Sequence, residues 1–387
     1  MKIVFVLHDC ELYGSTRSAL DMAIELRVRG DESIFVVPGS GPLIKVLEEY
    51  KFQYYIVEVE NWAVFRPFLY QNRNVSPNRF VRFIKIFGFF RRQHRAANQL
   101  KSELKDVDCI YSNSALVIFG FVLARRLQVK HIWHFREFVG QEYVFVFSGF
   151  IRRLIFRMNR NFVFSTQALK QYYSADTRGR GEIIPAAVGE AIINAGETSG
   201  ALKLPGPEFI RFGMLGSIND NKGQFEIVCF FAELVQTEPR LCLLIAGDGD
   251  TSKIREYIGG HGLEEHILIY NYVPTATFFS AIDYLIVNSK FEGFGRVTIE
   301  AMKNRKLVIG RKSTGTYELI GDNQRGLLFE NKEGFFRNMD NIVKGRIDIK
   351  EITDASYEWA KSNFSITQIV DKVLRLIAAS KSKSSLN

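Results

Sequence analysis

Apolar residues in the first half of the chain come in short runs. KIVFVL (2–7), SIFVV (33–37), YYIV (54–57), DCIY (108–111), HIWHF (131–135) and FVF (162–164) are β-branched or aromatic and read as strands. Between several of them the apolar spacing lengthens to that of a helix. STRSALDMAIELRVRG sets Ala19, Met22, Ala23 and Leu26 on one face and closes on Gly30. Such alternation predicts a parallel sheet with crossover helices. A Gly- and Ala-rich stretch with two prolines then breaks the pattern and is expected to be a linker over 191–207. A second series follows: FIRFGML (209–215), LCLLIAG (241–247), HILIY (266–270), DYLIV (283–287) and KLVIG (306–310). Helices are expected over 223–236, 251–259, 275–281, 297–304 and 315–320, and an amphipathic one from about 351 to 381.

The chain of 387 residues is too long for one core. The expected division is a Rossmann-like domain over 1–190, the linker over 191–207, a second Rossmann-like domain over 208–350, and a helix with a short polar tail over 351–387 that packs back on the first domain. In open sheets of this kind ligands sit outside the carboxyl ends of the strands, so the chemistry is expected on the loops there, facing a cleft between the halves.

One such loop is FEGFGRVTIE (291–300), with Glu292 and Glu300 eight positions apart around two glycines. The preceding run delivers Asn288 and Ser289, and a helix is expected to begin near Arg296 or Val297 with Glu300 in its first turn. Free N–H groups at that start suit a phosphate, and a carboxylate can hold a diol. The bland alternative is a carboxylate answering the helix dipole beside a solvated loop charge. In GMLGSINDNKGQ, Lys222 precedes Gly223 at another helix start, where an ammonium can meet a diphosphate. LLIAGDGD ends a strand at Gly247, and NYVP places Tyr272 and Val273 where backbone groups can meet a base edge. The first loop carries Gly14 but lacks G-x-G-x-x-G, which argues against a dehydrogenase.

Together these loops resemble the donor half of the family-4 retaining glycosyltransferases of the GT-B fold. FEGFGRVTIEAM, GSINDNKGQ, LLIAGDGD and STGTYELI carry the likeness, and the Gly14 loop with HFREF (134–138) is similar to that family's acceptor half. The resemblance implies an α/β chain of two Rossmann-like domains facing a central cleft. It implies Glu300 on the nucleotide's ribose and Glu292 on the transferred sugar. The backbone of Phe294, Gly295, Arg296 and Val297 would lie near sugar and diphosphate, with Lys222 on the diphosphate. Gly14 would approach the phosphates, and Gly247, Tyr272 and Val273 would line the nucleotide. His134 would stand beside the reacting carbon, with Arg17, Arg136 and Glu137 on the acceptor side. Ser217 stands where the family commonly has arginine, so Arg296, Arg136 or Arg17 has to supply that charge; Tyr13 replaces one glycine of the first loop.

The activity so implied is transfer of a sugar from a UDP- or GDP-sugar to a glycan or lipid-linked acceptor, with retention, in bacterial surface polysaccharide assembly such as lipopolysaccharide or capsule. Glu292 as a covalent nucleophile is the alternative mechanism. Alternative functions are a GT-B nucleotide-sugar 2-epimerase and a nonenzymatic sugar- or nucleic-acid-binding module.

Composition adds two points. The four cysteines, Cys10, Cys109, Cys229 and Cys242, form no C-x-x-C pair and the histidines no metal spacing, so neither metal nor cofactor is expected. The net charge of +9 is concentrated: residues 61–101 hold nine Lys or Arg and no acid, among many aromatics, and YVFVFSGFIRRLIFRMNR (143–160) is alike. Both suit an anionic membrane surface better than nucleic acid. With no apolar run long enough to span a bilayer and a strand-like start, the expected place is the cytoplasm, peripheral on the inner face of the plasma membrane.

Overall fold

A computed structural model describes residues 1–65, 79–141, 143–189, 202 and 204–379. Part of the basic stretch (66–78), most of the expected linker (191–201 and 203) and the tail from 380 lie outside the described residues. The chain divides into two compact units, 1–189 with 366–387, and 190–365.

The first unit is built on β1 (Lys2–Val6), β2 (Glu32–Val37), β3 (Gln53–Ile56), β5 (Cys109–Ser112), β6 (Lys130–Phe135), β8 (Asn161–Phe164) and β9 (Glu182–Ile183). They form one parallel sheet in the order β3-β2-β1-β5-β6-β8-β9. A hairpin-like pair, β4 (Ala63–Phe65) against β7 (Tyr143–Phe145), was not foreseen. Its helices are α1 (Gly14–Val28), α2 (Pro42–Glu49), α3 (Arg79–Lys101), α4 (Phe119–Leu127), α5 (Gly149–Met158), α6 (Gln167–Tyr172) and α7 (Ser174–Thr177). The core is aromatic. Trp62 and Trp133 stack at 5.3 Å, and each indole N–H is spent on a loop carbonyl, Trp62 on Ala115 and Trp133 on Ser114. The core thereby fixes the loop that follows β5.

The second unit holds β10 (Ile210–Leu215), β11 (Leu241–Ala246), β12 (Ile267–Tyr270), β13 (Tyr284–Val287), β14 (Leu307–Arg311) and β15 (Leu327–Phe329). All are parallel, in the order β12-β11-β10-β13-β14-β15. Its helices are α8 (Gln224–Thr237), α9 (Ser252–His261), α10 (Thr275–Ala281), α11 (Arg296–Lys303), α12 (Thr314–Ile320), α13 (Lys332–Val343) and α14 (Ile349–Asn363). β11 is buried along its whole length, as a central parallel strand covered on both faces must be. Strand order reverses between β10 and β13, which marks the place where loops part and a ligand can enter.

The single helix expected from 351 is two. α14 stays with the second unit, and α15 (Ile366–Ala378) belongs to the first. The break falls at Phe364, whose ring is held by Phe294 at 5.5 Å and Trp359 at 5.1 Å. α15 lies on α1, burying Ile369, Val370, Val373 and Ile377, and Arg29 donates to the Asp371 carboxylate and the Thr367 carbonyl.

Candidate active site

In the second unit the loops after β10, β13 and β14 meet at the reversal of strand order. After β10, Asn219 turns the chain by accepting from the N–H groups of Asn221 (3.1 Å) and Lys222 (3.0 Å). That turn presents the Lys222 ammonium to Glu292, at 2.7 Å. The same Glu292 oxygen accepts from the Ser289 hydroxyl at 2.7 Å. The Glu292 backbone N–H donates to Thr314 Oγ1 at 2.8 Å, and its carbonyl accepts from the Gly315 N–H at 3.0 Å. Thr314 has φ of 31°, an unusual value for a β-branched residue, so the hydroxyl contact is made from strained backbone. Gly295 has φ of 88° and forms the N-cap of α11, letting the loop turn sharply into the helix.

Glu292 is buried. Burial alone raises a carboxyl pKa, but Lys222, the Ser289 hydroxyl and the Gly295 N–H outweigh it, and Glu292 is held below the ordinary 4.5. A depressed carboxyl stabilises the fold above its unfolded pKa and loses that contribution as pH falls through the folded value. Acidification below about 4.5 is therefore expected to destabilise the wild type more than Glu292→Gln, with thermal midpoints across the acid range as the measurement. Equal acid sensitivity of the two would show that this carboxylate does not carry the effect.

Glu300 is also buried, and Arg296 donates to it at 2.7 Å, four residues earlier on α11. It stands in the second turn, because α11 starts at Arg296, rather than in the first turn as the sequence suggested. The described polar groups around Ser217 are local: its hydroxyl accepts from Asn219 and its carbonyl from Gln224. Gly247 and the half-exposed Tyr272 with buried Val273 follow β11 and β12. Phe294 is buried against Phe364, and Val297 is partly exposed on α11.

Arg311 and Glu226 escaped the sequence reading. Arg311, at the end of β14, donates to Asn288 (2.7 Å) and Glu226 (2.6 Å), and Asn288 donates to the Gly223 carbonyl at 2.9 Å. This chain fixes the residue next to Lys222. A lone arginine after a buried strand gave no local signal of it.

In the first unit His134 lies on β6. The ring is wholly buried inside the sheet, with Nδ1 2.6 Å from the Tyr111 hydroxyl and Nε2 3.0 Å from that of Ser165. Burial, then Arg136, holds its pKa well below 6.5, so it is neutral. β6 ends at Phe135, where its apolar run predicts, so the loop after it begins with Arg136 and Glu137. Arg136 donates to Asn113 at 3.1 Å, and Asn113 donates to the Ser15 carbonyl at 2.8 Å, close to Gly14 and Arg17 at the start of α1. Glu137 accepts from the Ala115 N–H at 3.2 Å, and burial pushes its carboxyl pKa up.

An ion pair missed from the sequence lies beside them. His8 and Asp9, just past β1, are 2.7 Å apart, and Thr16 donates to Asp9 at 3.0 Å. Burial works against charge on His8, but Asp9, with help from Glu137, raises its pKa above 6.5. Its contribution to stability is full below 6.5 and is lost as pH rises through the raised value, the opposite sense to Glu292. Among the described residues no group of three or more His, Cys, Asp or Glu is arranged to hold a metal ion, and no helix is long and apolar enough to cross a membrane.

Two parallel, strand-reversing sheets in one chain define the GT-B fold, and solved structures agree. Anabaena Alr3699/HepE, crystallised with UDP and glucose, matches 98% of this chain and 100% of its own with a TM-score of 0.74 at 17% identity. Residues 203–359 match the family model described as glycosyl transferases group 1, so this part of the chain is similar to that family. By sequence, the lipopolysaccharide core biosynthesis glycosyltransferase LpsE of Rhizobium meliloti (strain 1021) is 24% identical over 43% of this chain and 48% of its own. The D-inositol 3-phosphate glycosyltransferase of Segniliparus rotundus is 26% identical over 45% of this chain and 41% of its own. The matches span about half the length of these curated relatives or less.

Proposed function

We propose that the protein is a retaining glycosyltransferase of family 4 that moves a sugar from a UDP- or GDP-sugar to a glycan or lipid-linked acceptor. Bacterial surface polysaccharide assembly is the expected setting, and the inner face of the plasma membrane the expected place. The observation that carries this reading is the Lys222–Glu292 pair at the reversal of strand order, beside the start of α11. The similarity to the group 1 family over 203–359 and a relative named for lipopolysaccharide core biosynthesis support it, as does the UDP held by a protein of the same fold.

In this reading the diphosphate meets the Lys222 ammonium and the positive end of the α11 dipole. Lys222 is held in place by Glu292 before the donor arrives. The donor's phosphates, with more charge than one carboxylate, draw the ammonium away. Glu292 then keeps Ser289 on that oxygen and offers the lone pair that Lys222 vacates to a sugar hydroxyl. Glu300 takes the ribose diol. As the bond between sugar and phosphate breaks, negative charge grows on the leaving diphosphate, where Lys222 and the helix start stabilise it. Acceptor contacts fall to Arg17, Arg136 and Glu137, around Gly14. No step uses a metal or a cofactor.

The test is a thermal-shift screen of UDP-, GDP- and ADP-sugars on the wild type and Glu300→Ala. A donor is expected to raise the midpoint, and Glu300→Ala to weaken its binding roughly tenfold or more, the worth of hydrogen bonds to a charged group. Unchanged nucleotide affinity in Glu300→Ala would remove the carboxylate from the site. Turnover of a nucleotide-sugar without any acceptor would replace transfer by epimerisation.

A further inference from the structure

The exposed apolar side chains of the first unit are not scattered. On α5, Phe150 is 76% exposed, Leu154 49% and Met158 45%. Their spacing of four sets them in one stripe along the helix. The opposite face is ordinary core, with Ile155 and Phe156 buried. Arg153 and Arg157 stand exposed between the stripe residues, and the helix contains no acid. Val146, just before it, is 47% exposed. Phe87 of α3 is 65% exposed, and α3 reaches this segment through Phe89 and Phe90 on Phe147, at 4.9 and 5.6 Å.

The charge around the stripe is mostly positive. Arg152 and Arg153 share Asp176. Beyond the end of α5, Arg160 and Arg178 lie near enough to Arg180 to disfavour its charge, after burial, which is the larger cause. Arg180 is anchored there by donating to the Phe156 and Thr177 carbonyls, at 3.0 and 2.9 Å. The protein thus holds a group of like charges together beside an exposed apolar stripe.

Single exposed apolar residues need no explanation, but a stripe rimmed by cations does. A second copy is a poor occupant. A two-fold interface would set this patch against itself, arginine facing arginine. An anionic bilayer satisfies both halves at once, with Phe, Leu and Met in the acyl boundary and guanidinium groups on the headgroup phosphates. We infer that α5, with Val146 and Phe87 beside it, is the surface by which this protein sits on an anionic membrane. The inference deepens the membrane placement proposed above and rests on it only for the choice of leaflet.

The test is flotation of the full chain with vesicles of phosphatidylglycerol and phosphatidylcholine, against phosphatidylcholine alone, at low and high salt. The wild type is expected to float with the anionic vesicles at low salt and to be released by salt. The double variant Phe150→Glu with Leu154→Glu is expected to lose about tenfold or more in bound fraction, and Arg157→Gln with Arg160→Gln to lose part of it. These side chains are solvent-exposed, so thermal midpoints should stay near that of the wild type. No flotation of the wild type overturns the inference, as does undiminished binding by the double glutamate variant. So does a wild-type dimer that the glutamates dissolve without any vesicle binding. The UDP thermal shift is read on the same preparations. A chain that floats but ignores nucleotides keeps the surface and loses the sugar-transfer reading; one that binds UDP but no vesicles does the reverse.

Discussion

Glu292→Ala is expected to destabilise the second unit by about 3 kcal/mol, the lower end of the cost of breaking a buried ion pair. The physical reason is what stays behind. Glu292 is only 9% exposed, and its removal takes from the Lys222 ammonium and the Ser289 hydroxyl the carboxylate oxygen they share. Lys222 retains 28% of its side-chain exposure, so water relieves part of the penalty. The lower end of the range is therefore the right expectation. The double variant Lys222→Met with Glu292→Met should recover much of the loss, because two apolar groups of similar length leave no orphan charge. Urea unfolding at neutral pH measures all three, and the double-mutant cycle isolates the pair. A loss under about 1 kcal/mol for Glu292→Ala would put the pair in the class of solvated surface bridges and weaken its claim to preorganise a donor site.

Gly315→Val should cost about 3 kcal/mol, the top of the range for overpacking, and abolish the donor-induced thermal shift. A Cβ on Gly315 would lie 2.7 Å from the Glu292 carbonyl oxygen and 3.0 Å from that of Phe294. Both neighbours are backbone, so no side chain can swing aside. Relief has to come from moving the 292–295 segment away from α12, which breaks the contact between the Gly315 N–H and Glu292 and carries the start of α11 with it. The control is Gly39→Ala, where a Cβ meets nothing within 4 Å and little change is expected. Thermal midpoints with and without UDP-sugar report both effects. A Gly315→Val protein that keeps the stability and the nucleotide response of the wild type would show that the two loops do not need their close approach.

Much of this fold is written in the apolar runs. Each of the eleven strands expected from them appears within a residue or two of its place, because a fully buried parallel strand needs little more than a short β-branched run. The short elements were not legible. β15 is three residues, and β4 with β7 pairs segments 80 residues apart in number, which no local period reveals. At the site, Glu292, Glu300 and Lys222 stood out because glycine bends frame them. Arg311 and the His8–Asp9 pair did not, since their importance comes from partners distant in sequence. The role of His134 was read from a motif alone, and the strand holds that ring in the core. A motif gives residue types, but a strand's last residue decides which side chain leaves the sheet.

The return of α15 to the first unit makes that unit discontinuous in sequence. A clone ending at residue 189 would expose the apolar side of α1 and would be expected to aggregate. Adding residues 366–387 in trans, or grafting them through a flexible joint, should restore a soluble folded half.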